Sequence, residues 1–374
     1  MSDSCFFIGT TLADNPVPHH FQALARDLVR RGHRVVLITP HRKTDLVDPD
    51  SNPAIYTWPS ERPTRLRDAR FLSQLARRHR PTCFIANFAA VSLMTSVGSW
   101  LGVPRRITWY HTLTDQIRID SDRPALLAAL LRGRRSLVYR FATHVVPVSE
   151  AARRDVVKTY GVPDSKCTVF LNDLSDPLRG GEAIPVAART TQVLCVARLF
   201  RSKGQDVLIR ALAVLRRKGR PFRVDFVGEG PELGALQSLA EGSGVADLCT
   251  FSGRLEHGDV LARMARAVLT VLPSRSDNCP LVTIESLAVG TPLVVSDVGG
   301  LPEIVRDGEN GFLVPPDDPD ALAERISRLL SDEALWNDLS RRARGDYLQR
   351  FELTRAVARQ ADWLEQLEGV RARS

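Results

Sequence analysis

The stretch that decides the fold runs from Val271 to Val314 and reads VLPSRSDNCPLVTIESLAVGTPLVVSDVGGLPEIVRDGENGFLV. The apolar runs Ala267–Leu272 and Leu293–Val295 are short enough to be buried strands. Between them, apolar residues recur at helical spacing over Leu281–Ala288, and Gly290 follows where a helix would end. This alternation of strand and helix predicts an α/β fold built on a parallel sheet.

The same stretch carries two acids and a glycine pair at the ends of these elements. Asp277 lies in the loop after the first strand, Glu285 lies on the helix, and Gly299 and Gly300 follow the second strand. Backbone N–H groups at a glycine pair before a helix can approach an anion closely. Ligands of open α/β sheets bind beyond the carboxyl ends of the strands. Taken alone, the two acids could also be a solvated loop aspartate and a helix-surface glutamate.

The string PSRSDNCPLVTIESLAVGTPLVVSDVGGLPEIV resembles the donor-binding signature of retaining glycosyltransferases of family 4. Members carry two glutamates separated by seven residues. Asp277 and Glu285 keep that spacing, although the first acid is one methylene shorter. The resemblance implies the GT-B fold, in which two Rossmann-like, doubly wound parallel-sheet domains face a cleft and a C-terminal helix returns to the N-terminal domain.

Length and composition predict two domains joined by a linker. At 374 residues the chain exceeds the usual size of one hydrophobic core. Residues 176–191 are rich in Pro, Gly and Ala without periodicity, as expected for a linker. The resemblance gives these parts their roles: an acceptor-binding domain at 1–175, this linker, a nucleotide-sugar-binding domain at 192–350, and a C-terminal helix at 351–374 that packs on the first domain.

Cysteine usage and hydropathy predict a cytoplasmic protein. The six cysteines are scattered, with no CxxC pair and no metal-ligand spacing, so we expect reduced thiols and no metal centre. The N-terminus lacks the basic and apolar regions of a signal peptide, and no run of 18 apolar residues could span a membrane. Peripheral association with the inner leaflet is compatible with both observations.

Positive charge is concentrated in the first half of the chain. Residues 1–180 hold 26 lysines and arginines against 16 aspartates and glutamates, whereas the remainder holds 25 against 27. This asymmetry favours an anionic membrane surface or an anionic acceptor, or it reflects an arginine-rich composition. The predicted helix Pro124–Phe141 combines leucines with arginines, and either lies on a membrane surface or is an ordinary helix with buried leucines. Nucleic acid is not favoured, because no binding motif is present.

Two cations follow the first strand of the second domain. Arg198 and Lys203 lie in a strand-to-helix loop, where cations and helix N–H groups suit a diphosphate. The resemblance implies that Arg198 and Lys203 bind the diphosphate. It also implies that Glu285 binds the donor ribose and that Asp277 binds the transferred sugar. The predicted donor site further includes Gly228, Arg254, Asn278, Cys279, Pro280, Leu281 and Val282.

The first domain contributes a histidine and three acceptor-side candidates. His111 directly follows the predicted strand Arg106–Tyr110, where an active-site side chain would project. The resemblance places a histidine that contacts the transferred sugar or phosphate at this position. His19, His20 and Asn172 are the acceptor-side candidates, because NPVPHHF replaces the usual glycine-rich loop and Asn172-Asp173 replaces Asn-Gly. The predicted catalytic set is Asp277, His111, Arg198 and Lys203.

The predicted function is retaining transfer of a hexose-type sugar from a nucleotide-diphosphate sugar to a hydroxyl of a glycan, lipid-linked or small-molecule acceptor. UDP is favoured over GDP as the donor base, and neither cofactor nor metal is expected. One alternative is a GT-B nucleotide-sugar epimerase, which would convert the donor without an acceptor. The other is a non-catalytic sugar-nucleotide-binding protein, which would bind the donor without turnover.

Overall fold

The computed structural model describes residues 4–10, 16–40, 51–121, 124–183, 188–190 and 192–369. These residues form two compact units. The first unit comprises the described residues within Met1–His111, Arg123–Asp173 and Leu353–Ser374, and the second those within Thr112–Asp122 and Leu174–Glu352. Residues 112–121 are thus grouped with the second unit, although they lie within the predicted first domain. The sequence-based domain boundaries stay predictions.

The first unit is built on a six-stranded parallel sheet with the strand order β3-β2-β1-β4-β5-β6. Its strands are β1 (Cys5–Gly9), β2 (Arg34–Thr39), β3 (Ala54–Thr57), β4 (Cys83–Ala86), β5 (Arg105–Tyr110) and β6 (His144–Pro147). Nearly every residue of β1 and β4 is buried, as expected for central strands covered by helices on both faces.

The second unit repeats this topology with the order β12-β11-β10-β7-β8-β9, again with all strands parallel. Its strands are β7 (Gln192–Val196), β8 (Arg223–Val227), β9 (Cys249–Gly253), β10 (Leu269–Leu272), β11 (Leu293–Ser296) and β12 (Phe312–Val314). Both sheets therefore have the doubly wound Rossmann order, which confirms the predicted fold class.

Helices connect the strands of both units. In chain order they are α1 (Pro16–Arg30), α2 (Leu66–His79), α3 (Ala90–Trp100), α4 (Thr114–Ile119), α5 (Ala125–Phe141), α6 (Glu150–Tyr160), α7 (Gln205–Arg217), α8 (Leu233–Gly242), α9 (His257–Arg266), α10 (Leu281–Ala288), α11 (Leu301–Ile304), α12 (Pro319–Ser331), α13 (Glu333–Arg350) and α14 (Leu353–Gly369). No helix in the described part of the chain is long and apolar enough to cross a bilayer.

Helix α14 belongs to the first unit, as predicted for a C-terminal helix that returns to the N-terminal domain. It packs on α1, and Arg31 just after α1 donates hydrogen bonds to Asp362 at 2.7 Å and Glu365 at 2.8 Å. His33 lies 3.1 Å from the same Glu365. Residues 370–374 of the predicted C-terminal segment lie outside the described residues.

Three local expectations from the sequence differ from the structure. The apolar spacing predicts a helix from His19, but α1 begins at Pro16, because the first turn of a helix tolerates proline, whose missing N–H has no intrahelical acceptor there. The apolar run Thr168–Leu171 predicts a strand, but it forms only two backbone hydrogen bonds along β6, from Thr168 to Val145 and from Phe170 to Pro147. Four leucines of α5 are exposed and only Tyr139 is buried, which overturns the interpretation of α5 as a helix with buried leucines.

The described part of the predicted linker is anchored to the second unit. Asp176 accepts two hydrogen bonds from the nearly buried Arg344, at 2.7 and 2.8 Å. Arg189 is buried and donates to the backbone oxygens of Ala267 at 3.1 Å, Val289 at 3.1 Å and Gly290 at 3.3 Å. Residues 184–187 and 191 of this segment lie outside the described residues.

Replacing Arg189 with methionine should destabilise the second unit. The substitution leaves several buried carbonyl oxygens without their donor, and we expect the free energy of unfolding to fall by about 3 kcal/mol. Urea unfolding followed by circular dichroism measures the change. Arg217→Met at an exposed arginine is the matched control and should leave the midpoint unchanged. Equal midpoints for the two variants would contradict the anchoring role of Arg189.

Candidate active site

The candidate donor site lies where the strand order of the second sheet reverses. β7 and β10 are neighbours in this sheet, and the chain leaves them toward opposite edges, which makes their carboxyl ends the expected ligand-binding point. A short 3-10 turn, Arg201–Lys203, follows β7. The next residue, Gly204, has φ +66°, and a Cβ there would lie 2.0 Å from the carbonyl oxygen of Pro273 after β10. The two loops therefore touch through a position that only glycine fits.

Asp120 fixes this 3-10 turn from the segment 112–122 of the same unit. One carboxylate oxygen accepts the Ser202 backbone N–H at 2.9 Å, and the other accepts the Ser202 hydroxyl at 2.8 Å. A carboxylate that accepts N–H groups at the start of a turn satisfies donors that the turn itself leaves open. These two hydrogen bonds to Ser202 thereby fix the backbone next to Lys203.

Lys203 and Asp277 form a nearly buried ion pair at this point. The Lys203 Nζ lies 2.7 Å from Asp277 Oδ2, and the two side chains are 11% and 7% exposed. Asp277 also accepts the Ser274 hydroxyl at 3.1 Å and the Asn278 backbone N–H at 3.1 Å. Two charges removed from water are stable only when paired and hydrogen-bonded, so each residue fixes the other.

The glycine pair brings a third loop onto Asp277. Gly299, which follows β11, has φ +57°, and a Cβ there would lie 1.8 Å from the Asp277 carbonyl oxygen. The next N–H, from Gly300, donates to that oxygen at 3.2 Å. The loops after three neighbouring strands thus meet at Asp277, because parallel strands end at one edge of the sheet.

Glu285 lies on α10 and is 6% exposed. Its Oε1 lies 2.9 Å from the Nε2 of His257, the first residue of α9. Sequence reasoning missed His257, because no motif or spacing links it to the acid 28 residues later. A buried carboxylate with one oxygen held by a histidine is suited to accept hydroxyl hydrogen bonds on the other.

Some of the remaining donor-site candidates are buried in or near the loop that carries Asp277, and others are exposed. Asn278 and Cys279 are buried, and Pro280, Leu281 and Val282 form the start of α10. A Cβ at Gly228 would lie 2.0 Å from the Ala197 carbonyl oxygen, so this position also requires glycine. Arg198 is exposed and stacks on Phe200 at 4.7 Å, and Arg254 is exposed and lies 3.9 Å from Glu229. Their predicted roles stay predictions.

In the first unit, the residues after β4 hold His111. The His111 Nε2 lies 2.7 Å from Asn87 Oδ1, and the imidazole stacks on Phe88 with ring centroids 4.5 Å apart. Desolvation, together with the neighbouring His20, lowers the pKa of His111 to about 3. The ring is therefore neutral near pH 7, when it can accept one hydrogen bond and donate one.

His20 is engaged within the first unit. Its Nδ1 lies 2.8 Å from Asp173 and its Nε2 lies 2.9 Å from Gln360. Burial alone lowers the pKa of His20, but the charge and hydrogen bonds of Asp173 and the bond to Gln360 outweigh it, so the pKa is raised. Both His19 and His20 lie in α1 and not in a loop, and His19 and Asn172 are half-buried. An acceptor contact of His20 would have to replace one of these bonds, and the acceptor-side roles stay predictions.

All six cysteines are free thiols, four of them buried. Desolvation raises the pKa of Cys195 to about 12 and that of Cys249 to about 11, which keeps both thiols protonated at neutral pH. Within the described ranges, no group of three or more His, Cys, Asp or Glu side chains is arranged to hold a metal ion.

The two doubly wound sheets define the class of protein. The chain is similar over 97% of its length to the whole of the Anabaena HepE protein solved in complex with UDP, with a TM-score of 0.75 and 19% sequence identity. At this identity the likeness concerns the fold alone, and that fold is GT-B.

Two family models match consecutive parts of the chain. Residues 17–172 match Glycosyltransferase Family 4, and residues 183–346 match Glycosyl transferases group 1. The chain belongs to the GT-B glycosyltransferases of the family 4 type, which confirms the resemblance inferred from the donor-loop signature.

Curated relatives match shorter stretches. The alpha-D-kanosaminyltransferase of Streptomyces kanamyceticus is 33% identical over 151 residues, which cover 40% of this chain and 39% of the relative. The GDP-mannose-dependent alpha-(1-6)-phosphatidylinositol monomannoside mannosyltransferase of Mycolicibacterium smegmatis is 37% identical over 147 residues, which cover 37% of this chain and 38% of the relative. The chain thus spans well under half the length of these two relatives.

Replacing Gly299 with alanine should destabilise the second unit. The added Cβ would collide with the Asp277 carbonyl oxygen in a backbone conformation that alanine rarely adopts. We expect the thermal unfolding midpoint to fall by at least about 3 °C. Gly345→Ala, in the interior of α13 with no atom within 4 Å of the new Cβ, is the control and should leave the midpoint equal or higher. A midpoint for Gly299→Ala that matches this control would contradict the close approach.

Proposed function

We propose that the protein is a retaining glycosyltransferase that moves a hexose-type sugar from a nucleotide-diphosphate sugar to an acceptor hydroxyl. The observation that carries the proposal is the nearly buried pair of Lys203 and Asp277 at the strand-order reversal of the second sheet. A fixed cation beside a fixed carboxylate offers one partner for a phosphate and one for sugar hydroxyls. Family membership and the presence of UDP in the similar HepE structure support this assignment.

In the proposed reaction the cations stabilise the leaving group. As the bond between the anomeric carbon and the phosphate oxygen breaks, negative charge grows on the nucleoside diphosphate, and Lys203 and Arg198 neutralise it. Lys203 then shares its donors between Asp277 and the diphosphate, since an ammonium has three N–H groups. Asp277 binds hydroxyls of the transferred sugar, Glu285 binds the ribose, and the first N–H groups of α10 assist.

Retention follows from transfer on one face of the sugar. The acceptor oxygen forms its bond to the anomeric carbon on the side from which the phosphate leaves, and the acceptor proton passes to the leaving phosphate. This scheme needs no protein nucleophile and no separate base. His111 contacts the transferred sugar or its phosphate as a neutral imidazole.

Among donor bases, UDP is favoured over GDP. HepE is described with UDP, whereas the mannosyltransferase relative is GDP-mannose-dependent, so both nucleotides belong in any assay. Neither the epimerase nor the non-catalytic alternative is favoured by these comparisons. Incubation with the donor alone separates the epimerase, which would convert the sugar without an acceptor.

The proposed acceptor is a glycan, a lipid-linked molecule or a small molecule, and we propose that the protein acts in the cytoplasm.

Helix α5 supports the proposal of peripheral contact with an anionic membrane. It exposes Leu126, Leu130 and Leu137, which are 74%, 64% and 55% accessible, next to exposed Arg132 and Arg134. Exposed leucines beside arginines suit the boundary between acyl chains and anionic headgroups.

Lys203→Ala and Glu285→Ala should each reduce the release of UDP from UDP-glucose by at least about a hundredfold, the scale of losing one hydrogen-bond partner of the transition state. If GDP-mannose is the better donor, the same loss applies to it. Lys218→Ala and Glu241→Ala, which remove an exposed lysine and an exposed glutamate of the same unit, should retain full turnover. Near-normal kinetics in both site variants, with circular dichroism unchanged, would remove the assignment.

Turnover should be unaffected by EDTA. The proposal assigns the neutralisation of the diphosphate to Lys203, Arg198 and helix N–H groups and not to a divalent cation. Initial rates with and without EDTA test this expectation. Loss of activity that added magnesium restores would show that the protein cations are insufficient.

A further inference from the structure

Two residues that the proposed mechanism does not use, Asn87 and Phe88, follow β4 directly. β4 and β5 are parallel neighbours, with Ala86 paired to Thr108, so their carboxyl ends lie side by side. His111 follows β5 at this edge. Asn87 and Phe88 therefore stand next to the histidine that the sequence analysis assigned to the active site.

Asn87 determines which nitrogen of His111 carries the proton. The Asn87 side chain is 3% exposed, and its Oδ1 lies 2.7 Å from His111 Nε2. An amide oxygen only accepts hydrogen bonds, so Nε2 must donate. In a neutral imidazole the lone pair is then on Nδ1. The lowered pKa of His111 agrees with a neutral ring.

Phe88 adopts a backbone conformation that is unfavourable for a phenylalanine. Its φ is +46°, a region that non-glycine residues occupy only at a free-energy cost. Its ring is also 55% exposed, so core packing does not offset that cost. The ring lies over the imidazole of His111, with centroids 4.5 Å apart and planes 22° apart. A strained residue whose ring stacks on a candidate active-site histidine is typical of functional sites.

We propose that Asn87 and Phe88 are positioning residues for His111. Asn87 fixes the Nε2–H tautomer, and Phe88 fixes the plane in which the ring of His111 meets the transferred sugar or its phosphate. The sugar contact rests on the proposed function. The tautomer and the ring plane rest on the geometry of the first unit alone.

Nuclear magnetic resonance of the full-length, 15N-labelled protein near pH 7 tests the role of Asn87 without any ligand. A His111→Gln variant assigns the His111 signals. We expect a slowly exchanging Nε2–H proton in the wild type, its loss in Asn87→Leu and its retention in Asn87→Asp, whose carboxylate can accept the same bond. A wild-type ring protonated on Nδ1, or an Nε2–H signal that persists in Asn87→Leu, would overturn the proposal.

Phe88→Gly tests the role of Phe88, because it separates stability from positioning. Glycine adopts φ +46° without strain, so the thermal midpoint should stay equal or rise. Release of UDP from UDP-glucose should fall about tenfold, the scale expected when a reacting group is slightly misplaced. Trp100→Ala, which removes another exposed aromatic ring of the first unit, should leave turnover unchanged. Unchanged turnover in Phe88→Gly, or a midpoint lowered as by a core substitution, would overturn the role of Phe88.

The NMR experiment and the turnover experiment test this proposal separately from the proposed function. If the wild type released no nucleotide from UDP-glucose or GDP-mannose, the glycosyltransferase assignment would fail. The exchange-protected Nε2–H of His111 and its dependence on Asn87 would still decide whether His111 is positioned as described.

Discussion

The ion pair between Lys203 and Asp277 is the interaction on which the second unit's functional edge depends. Neither charge can be removed without leaving the other nearly buried and unpaired, a state that costs several kcal/mol in other proteins. Each partner is therefore held by its own supports, Asp120 beneath the turn that carries Lys203 and Gly299 against the backbone of Asp277. These supports leave little freedom in the loops, and a rigid edge is what a reaction controlled by electrostatic preorganisation requires.

The parts of the fold that could be predicted from the sequence are those that depend on the local spacing of apolar residues. Short apolar runs alternating with helical periodicity determine parallel strands, and parallel strands force the loops after β7, β10 and β11 to one edge. That rule places Lys203 and Asp277 at the same edge, but it does not show that they form an ion pair. Contacts between residues far apart in the chain carried no such signal. Nothing in the spacing pairs His257 with Glu285, and the composition of residues 176–191 concealed Arg189, whose buried hydrogen bonds reach residues 78 and 100 positions away. Asn87 could have been found by the reasoning applied to His111, because it directly follows the apolar run Cys83–Ala86, which forms β4.

The first unit contains two histidines whose surroundings shift their pKa values in opposite directions. Asp173 and Gln360 stabilise the charged form of His20, whereas desolvation and the nearby His20 lower the pKa of His111 and keep its ring neutral. Sequence alone placed both among the candidate site residues, because it does not show whether a histidine binds a carboxylate or an amide. The raised pKa of His20 depends on Asp173 and on Gln360 of α14, which are far from His20 in the sequence.

The position of α14 has a consequence for biosynthesis. All residues of the second unit have left the ribosome before this helix emerges, yet α14 supplies Gln360, Asp362 and Glu365 to partners in and just after α1. The strands of the first sheet are thus translated first, but the unit that contains them is the last to receive all of its buried contacts. During translation, chaperones would therefore meet an unfinished N-terminal unit beside a second unit whose chain is already complete.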